Sequence, residues 1–254
     1  MDNTSPILHN KQAFQDALLH YEASEHAKRV LAGTPFVALS GLAGGGRNTV
    51  INYLVERYDY VFAISDTTRS PKLRDGKMEQ DGVNYYFRKE EDMLRDIKNG
   101  EFIEAELIHN QQVSGTSVRE IERLVKTGKI PIHDFEYGGV NNVQKTKQDA
   151  IIIGLIPPTF EEWIRRLRGR EVMHDQEFHN RLITAEKVLE NMLTYDHFRI
   201  VVNDTIEQCI QDIRQIVEQN LYTDETNDNV RGVARELLVS VKDALKSAEL
   251  TQNS

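Results

Sequence analysis

Between positions 150 and 156 the chain reads Ala-Ile-Ile-Ile-Gly-Leu-Ile, without one polar side chain. Successive side chains of a β-strand point to opposite faces, so a strand built from this run must be covered on both sides. Parallel strands sandwiched between helices meet that demand. Thr34–Ser40 (TPFVALS), 60–65 (YVFAIS) and 198–203 (FRIVVN) are further apolar runs of strand length. Between them lie segments with helical spacing: Asn48–Tyr58, Glu90–Lys98, Ser117–Thr127, a helix opening on the capping box Thr159–Glu162, about Glu177–Thr194, and about Thr205–Asn220. The alternation predicts an α/β fold with a parallel sheet covered on both faces. Short strands at 83–87 and 101–108 bracket the helix at 90–98 and point to a small inserted sub-domain, preceded by a charged loop excursion from Asp66. One amphipathic helix is expected over Lys11–Leu31, a polar linker over 221–229, and a final amphipathic helix from Val230 to about 247.

A chain of 254 residues with 39% hydrophobic content can bury a core of this kind. The formal net charge of −9 disfavours nucleic acid or an anionic membrane as a general partner. Cys209 is the single cysteine, which excludes an intramolecular disulfide and a multi-thiolate zinc site. The eight histidines form no H-x-x-x-H pair, so no metal site made of protein alone is expected. No run approaches the length of a membrane span and the N-terminus lacks a signal-peptide pattern; a cytoplasmic location is the expectation.

The stretch GLAGGGRNTV, Gly41 to Val50, joins a strand to a helix. Glycines let backbone N–H groups turn inward around a phosphate, and the following helix N-terminus adds about half a positive charge. Gly41, Gly44, Gly45 and Gly46 meet those requirements, although a plain strand-to-helix turn also favours glycine. In the Walker A pattern G-x-x-x-x-G-K-[ST], Lys is replaced here by Arg47 and Ser/Thr by Asn48, with Thr49 next. Arg47 keeps the charge in a planar fork, and Asn48 offers an amide oxygen to a hard cation.

Seven further stretches follow in order: ISDTTRSPK (64–72), DGVNYYF (81–87), GEFIEAELI (100–108), SGTS (114–117), GKIPIHDFE (128–136), LIPPTFEEWIRRLRGR (155–170) and YDHFRIVVND (195–204). Together they resemble the guanylate kinase family, whose corresponding patterns are S-x-T-T-R-x-P-R, D-G-x-x-Y-x-F, G-E-F-L-E-x-A, Y-G-T-S, an L-D-x-D strand end, L-P-P-S with R-L-x-x-R, and Y-D-x-x-x-x-N. The resemblance implies a three-layer P-loop α/β fold over about 34–220, with a GMP-binding sub-domain at about 66–117 and a lid at about 165–178. Residues 1–33 would be a helical extension, and 221–254 a linker and helix. It implies phosphoryl transfer from ATP to GMP or dGMP, with Mg²⁺ as cofactor.

By the same resemblance the GMP phosphate meets Arg69, Lys72 and Tyr85, and guanine is read by Ser65, Glu104, Thr116 and Glu136. The ATP side is implied for Gly41, Gly44, Gly46, Arg47, Asn48, Thr49 and Asn203, with Asn203 equally readable as a helix cap. Mg²⁺ would lie near Asn48 and Asp134. Catalytic positive charge is implied for Arg47, Arg166, Arg170 and Arg181, because phosphoryl transfer needs positioning and charge neutralisation above all. Departures cluster on phosphate and metal handling: Arg47, Asn48, Lys72 for Arg, Ser114 for Tyr, and Glu136 for Asp. An active kinase, a kinase for another nucleoside monophosphate, and a catalytically weak or inactive binding module all remain open. The apolar stripes of the terminal helices require burial, against the domain or in a homodimer contact.

Overall fold

The computed structural model describes residues 8–252 apart from 75, 109 and 170–172. The chain begins with α1 (Lys11–Leu19), α2 (Glu25–Ala32), β1 (Val37–Gly41), α3 (Arg47–Arg57) and β2 (Tyr60–Phe62). Short strands β3 (Asp66–Thr67), β4 (Leu73–Arg74), β5 (Lys77–Met78) and β6 (Tyr86–Phe87) lead to α4 (Glu90–Lys98), β7 (Phe102–Ile108), β8 (Gln112–Ser117) and α5 (Val118–Val125). Then come β9 (Ile130–Asp134), α6 (Tyr137–Thr146), β10 (Ile151–Ile156) and α7 (Phe160–Arg168). The chain closes with α8 (Asp175–Thr194), β11 (Phe198–Val202), α9 (Ile206–Gln219) and α10 (Asp224–Gln252).

The chain divides into two compact units. The first takes in the described residues up to Phe36, with Tyr60–His133 and Asn141–Ala150; the second takes in Val37–Asp59, Asp134–Val140 and the chain from Ile151 onward.

In the second unit β10 lies between β1 and β11, and both pairings are parallel. The central run Ile152, Ile153, Leu155 and Ile156 is fully buried, as its lack of polar positions requires. Its one glycine has a packing reason: a Cβ on Gly154 would come within 3.0 Å of Met192 Sδ on α8. Helix α10 packs along α8 through Ala234, Leu237 and Val241. Buried Arg231 ties it down by donating to the carbonyls of Leu193 and Tyr195, both at 3.1 Å.

The first unit holds a four-stranded sheet in the order β6-β3-β8-β7, a parallel β2–β9 pair and the β4–β5 hairpin. Its core joins Phe14 of α1 to Met93 and Ile97 of α4 and Phe102 of β7. Ala27 of α2 packs against Val118 of α5.

Three local expectations change, and one helix has no counterpart among them. The single helix over Lys11–Leu31 is two, because Tyr21 turns its hydroxyl to the backbone of Phe102 and Ser24 starts afresh as an N-cap, accepting from Ala27 N–H at 3.1 Å. The polar linker over 221–229 is mostly helix: α10 begins at Asp224, with Thr223 Oγ1 accepting from Thr226 N–H and two acids in the first turn. The loop excursion from Asp66 contains β3 and a hairpin. Helix α6 carries no strong helical signal, since Gly138, Gly139, Asn141 and Asn142 are poor helix formers; buried Val140 and Val143 show that packing holds it. Among the described residues no helix is long and apolar enough to cross a membrane.

Phe14 is fully buried in the first unit's core. Phe14→Ala is expected to lower stability by about 3 kcal/mol or more in urea denaturation; a change under about 0.5 kcal/mol would show that α1 does not pack there.

Candidate active site

The loop between β1 and α3 is shaped by where its carbonyls go. Gly45 N–H donates to the Leu42 carbonyl at 2.9 Å, and Trp163 Nε1 donates to the Ala43 carbonyl at 2.8 Å. Asn203 Nδ2 donates to the Gly45 carbonyl at 2.8 Å. Gly44 and Gly46 have φ of 80° and 96°, a region that side chains disfavour, and a Cβ on Gly46 would lie 2.4 Å from Asn203 Nδ2. Gly41 is required for another reason: its Cβ would lie 2.4 Å from the Leu155 carbonyl. Carbonyls tied back in this way leave a loop able to offer N–H groups to an anion at the start of α3.

Beside this loop a cavity of about 300 Å³ is lined by Gly44, Gly46, Arg47, Asn48, Asp134 and Arg181, among others. Phe135 N–H donates to the Leu39 carbonyl at 2.8 Å, which holds residues 134–136 alongside β1. Arg47 turns toward that segment. Its Nη1 donates to the Phe135 carbonyl at 3.1 Å and lies 3.9 Å from Asp134 Oδ2, while its Nη2 lies 3.5 Å from Glu136 Oε1. The loop cation thus faces two carboxylates of its own unit.

Asn48 and Asp134 together supply an amide and a carboxylate oxygen to one cavity. Two hard donors are too few for a metal cage made of protein, and among the described residues no group of three His, Cys, Asp or Glu could hold a metal. They suit Mg²⁺, which keeps waters and takes phosphate oxygens.

Arg166 is bound to backbone: Nη1 donates to the Asn203 carbonyl at 2.7 Å and Nη2 to the Asp204 carbonyl at 3.1 Å, with Nε on Glu162 at 2.6 Å. Arg181 pairs with Glu177 at 3.1 Å and lines the loop cavity. Arg170 lies outside the described residues. Thr49 and Asn203 line a second cavity of about 420 Å³ with Arg165, Arg166 and Asp204. Asn203 is not a helix cap, since Thr205 fills that role for α9.

The acceptor-side residues expected from sequence lie in the first unit, except Glu136. Glu104 on β7 and Thr116 on β8 are cross-strand partners, and Thr116 N–H donates to Glu104 Oε1 at 2.9 Å. Thr116 Oγ1 is buried beside the same carboxylate. Burial, with Glu106 nearby as the smaller cause, pushes the Glu104 carboxyl up to about 8. Ser65 is buried at the start of β3, and its Oγ lies 3.0 Å from His133 Nε2. Arg69 is buried under the Tyr85 ring, 4.5 Å from its centroid, and grips Glu79 with both Nη atoms, at 2.5 and 2.9 Å. Glu79 also accepts from Lys72 N–H at 2.9 Å, while the Lys72 side chain is exposed.

Sequence reasoning did not single out Glu79, Trp163 or the grip of Asn203 on the loop. Glu79 is one acid in a charged stretch, and nothing in its spacing marks it as the partner of Arg69.

A guanylate kinase family model matches residues 33–220. The chain is 32% identical over 184 residues to guanylate kinase 1 of Arabidopsis thaliana, covering 71% of this chain and 46% of that one. It is 31% identical to guanylate kinase 1 of Oryza sativa subsp. japonica, covering 50% of it, so it spans about half the length of these two relatives. To the guanylate kinase of Listeria innocua it is 36% identical, over 72% of this chain and 86% of the relative. The crystal structure of guanylate kinase from Anaplasma phagocytophilum superposes with a TM-score of 0.54 at 26% identity, covering 77% of this chain and 90% of that one.

Two measurements test this geometry. Gly46→Ala should abolish phosphate binding at the loop in titrations with inorganic pyrophosphate; unchanged binding would refute the loop conformation. Glu104 keeps its proton to about pH 8 when folded and loses it near 4.5 when unfolded, so its contribution to stability declines as pH rises between those values. Glu104→Gln should flatten the stability profile over that interval in denaturation at several pH values.

Proposed function

With the chain belonging to the guanylate kinase family, we propose that it transfers the γ-phosphoryl group of ATP to GMP or dGMP, giving ADP and GDP. The observation that carries the acceptor assignment is the buried Glu104–Thr116 pair. Guanine presents N1–H and an exocyclic amine as adjacent donors, and an ionised Glu104 accepts from both. Adenine presents an acceptor at N1, which a carboxylate repels.

On the donor side, the loop N–H groups and the start of α3 bind the triphosphate oxygens. Arg47 is within side-chain reach of the same cavity and moves from Asp134 and Glu136 to the phosphates. Asn48 and Asp134 are the residues that would hold Mg²⁺, which would neutralise charge on the phosphate chain. Arg181 adds positive charge at the cavity wall, and Arg170 is proposed from the family resemblance to act with it. Arg166 supports the site by holding the backbone at Asn203 and Asp204. Arg69, Lys72 and Tyr85 take the GMP phosphate, with Ser65 completing the contacts to the base. Catalysis in this scheme is positioning and charge neutralisation, with no covalent intermediate.

A catalytically weak binding module is the second reading. It is favoured by the engagement of Arg47 with Asp134 and Glu136 and of Arg69 with Glu79, since both phosphate-handling arginines then have competing acids.

Purified protein with ATP, Mg²⁺ and GMP should release ADP in a coupled assay only when GMP is present. Stabilisation by both nucleotides in thermal-shift titration without turnover would establish the module instead. GMP affinity should tighten as pH rises from 6.5 toward 8, by up to about tenfold per unit, then level off, because binding requires the ionised Glu104. In Glu104→Gln the GMP affinity should be weak and the pH dependence gone.

A further inference from the structure

His133 precedes Asp134 at the position where the L-D-x-D strand end carries leucine, and it replaces an apolar side chain by one that hydrogen-bonds at both ends. It is buried on β9 and stacked on Phe62, with ring centroids 5.2 Å apart. Its Nδ1 lies 2.6 Å from the Ala63 carbonyl, and its Nε2 lies 3.0 Å from Ser65 Oγ. A carbonyl oxygen can only accept, so Nδ1 carries the imidazole hydrogen. In the neutral ring Nε2 is then an acceptor, and Ser65 must donate its only hydroxyl hydrogen to it. The chain runs Ser65 Oγ–H to His133 Nε2, and His133 Nδ1–H to Ala63 O.

We infer that His133 is a specificity-determining positioning residue, which makes Ser65 an acceptor-only group and so selects a purine that carries an exocyclic 2-amino group. A serine hydroxyl ordinarily rotates and can donate to a ligand carbonyl or accept from a ligand amine. With its hydrogen fixed on His133, Ser65 Oγ has only lone pairs to offer. Guanine has three N–H hydrogens along one edge: N1–H and the two of its amine. Glu104 accepts two of them, and Ser65 accepts the third. Hypoxanthine lacks the amine and leaves the buried Ser65 lone pairs unanswered, while xanthine places a second acceptor against them. A site built to hydrogen-bond a ligand group discriminates strongly against an analogue without it. The inference rests on the reading of this unit as the GMP acceptor site. It adds to that reading a residue which touches no substrate yet fixes the polarity of one that does.

The test compares Kd for GMP, IMP and XMP by calorimetry with the full chain. Wild type should prefer GMP, and His133→Leu should cut the GMP/IMP preference by about tenfold, because the Ser65 hydroxyl is then free to rotate. His133→Gln, which can place a carbonyl oxygen near the former Nε2, should restore most of the preference. Ser65→Ala should lose it as well, with Ser65→Ala/His133→Leu no worse than Ser65→Ala alone. A folded His133→Leu protein that binds GMP with the wild-type GMP/IMP ratio overturns the inference and leaves the kinase reading intact. Should His133→Leu not fold, an unchanged ratio in Ser65→Ala overturns it equally. Nitrogen-15 spectra of the unliganded protein should show the Nδ1–H tautomer for His133, and the Nε2–H tautomer refutes the relay without any nucleotide. Failure of wild type to bind GMP at all would remove the acceptor assignment itself, a result distinct from loss of selectivity.

Discussion

A backbone that must present N–H groups to an anion has to send its carbonyls elsewhere, and the glycine loop does so by borrowing partners from distant parts of the sequence. Trp163 holds the Ala43 carbonyl from α7, and Asn203 holds the Gly45 carbonyl from the end of β11. Each such bond contributes only about 1 kcal/mol net. Their larger effect is geometric, because a free loop of glycines would otherwise sample many shapes and bind an anion poorly. Arg166 reinforces the arrangement by fixing the carbonyls of Asn203 and Asp204. The strands β1, β10 and β11 supply the rigid base from which these side chains reach.

The same molecule keeps Arg69 and Arg47 on acids of its own. Arg69 and Glu79 form a two-pronged buried pair, and removing one member of such a pair leaves an uncompensated charge worth about 3–5 kcal/mol. Arg47 has a looser arrangement, with Asp134 at 3.9 Å and Glu136 at 3.5 Å. The two arginines therefore differ in how tightly they are held. Glu104 shows the opposite tendency: its buried carboxyl has no cation paired with it among the described residues, and desolvation favours its protonated form.

Much of this was legible in advance. The all-apolar run at 150–156 required a strand covered on both faces, and the packed β10 confirms why. The resemblance named Glu104 and Thr116 for the base, and β7 and β8 place the two residues opposite each other. Helix α6 and the early start of α10 were not legible, because packing of Val140 and Val143 in one case and capping by Thr223 in the other outweigh weak local propensities.

Sequence by itself determined the α/β layering, the glycine turn and the family, since these follow from periodicity, residue size and the order of short motifs. Only the tertiary structure decided what each charged or polar side chain holds: Arg47 on Asp134 and Glu136, Arg69 on Glu79, Asn203 on the loop, and Ser65 on His133. The physical reason is distance along the chain. Hydrogen-bond partners separated by up to 158 residues meet only after the strands have folded, and no local pattern records which of several acids or carbonyls will lie within 3 Å of a given donor.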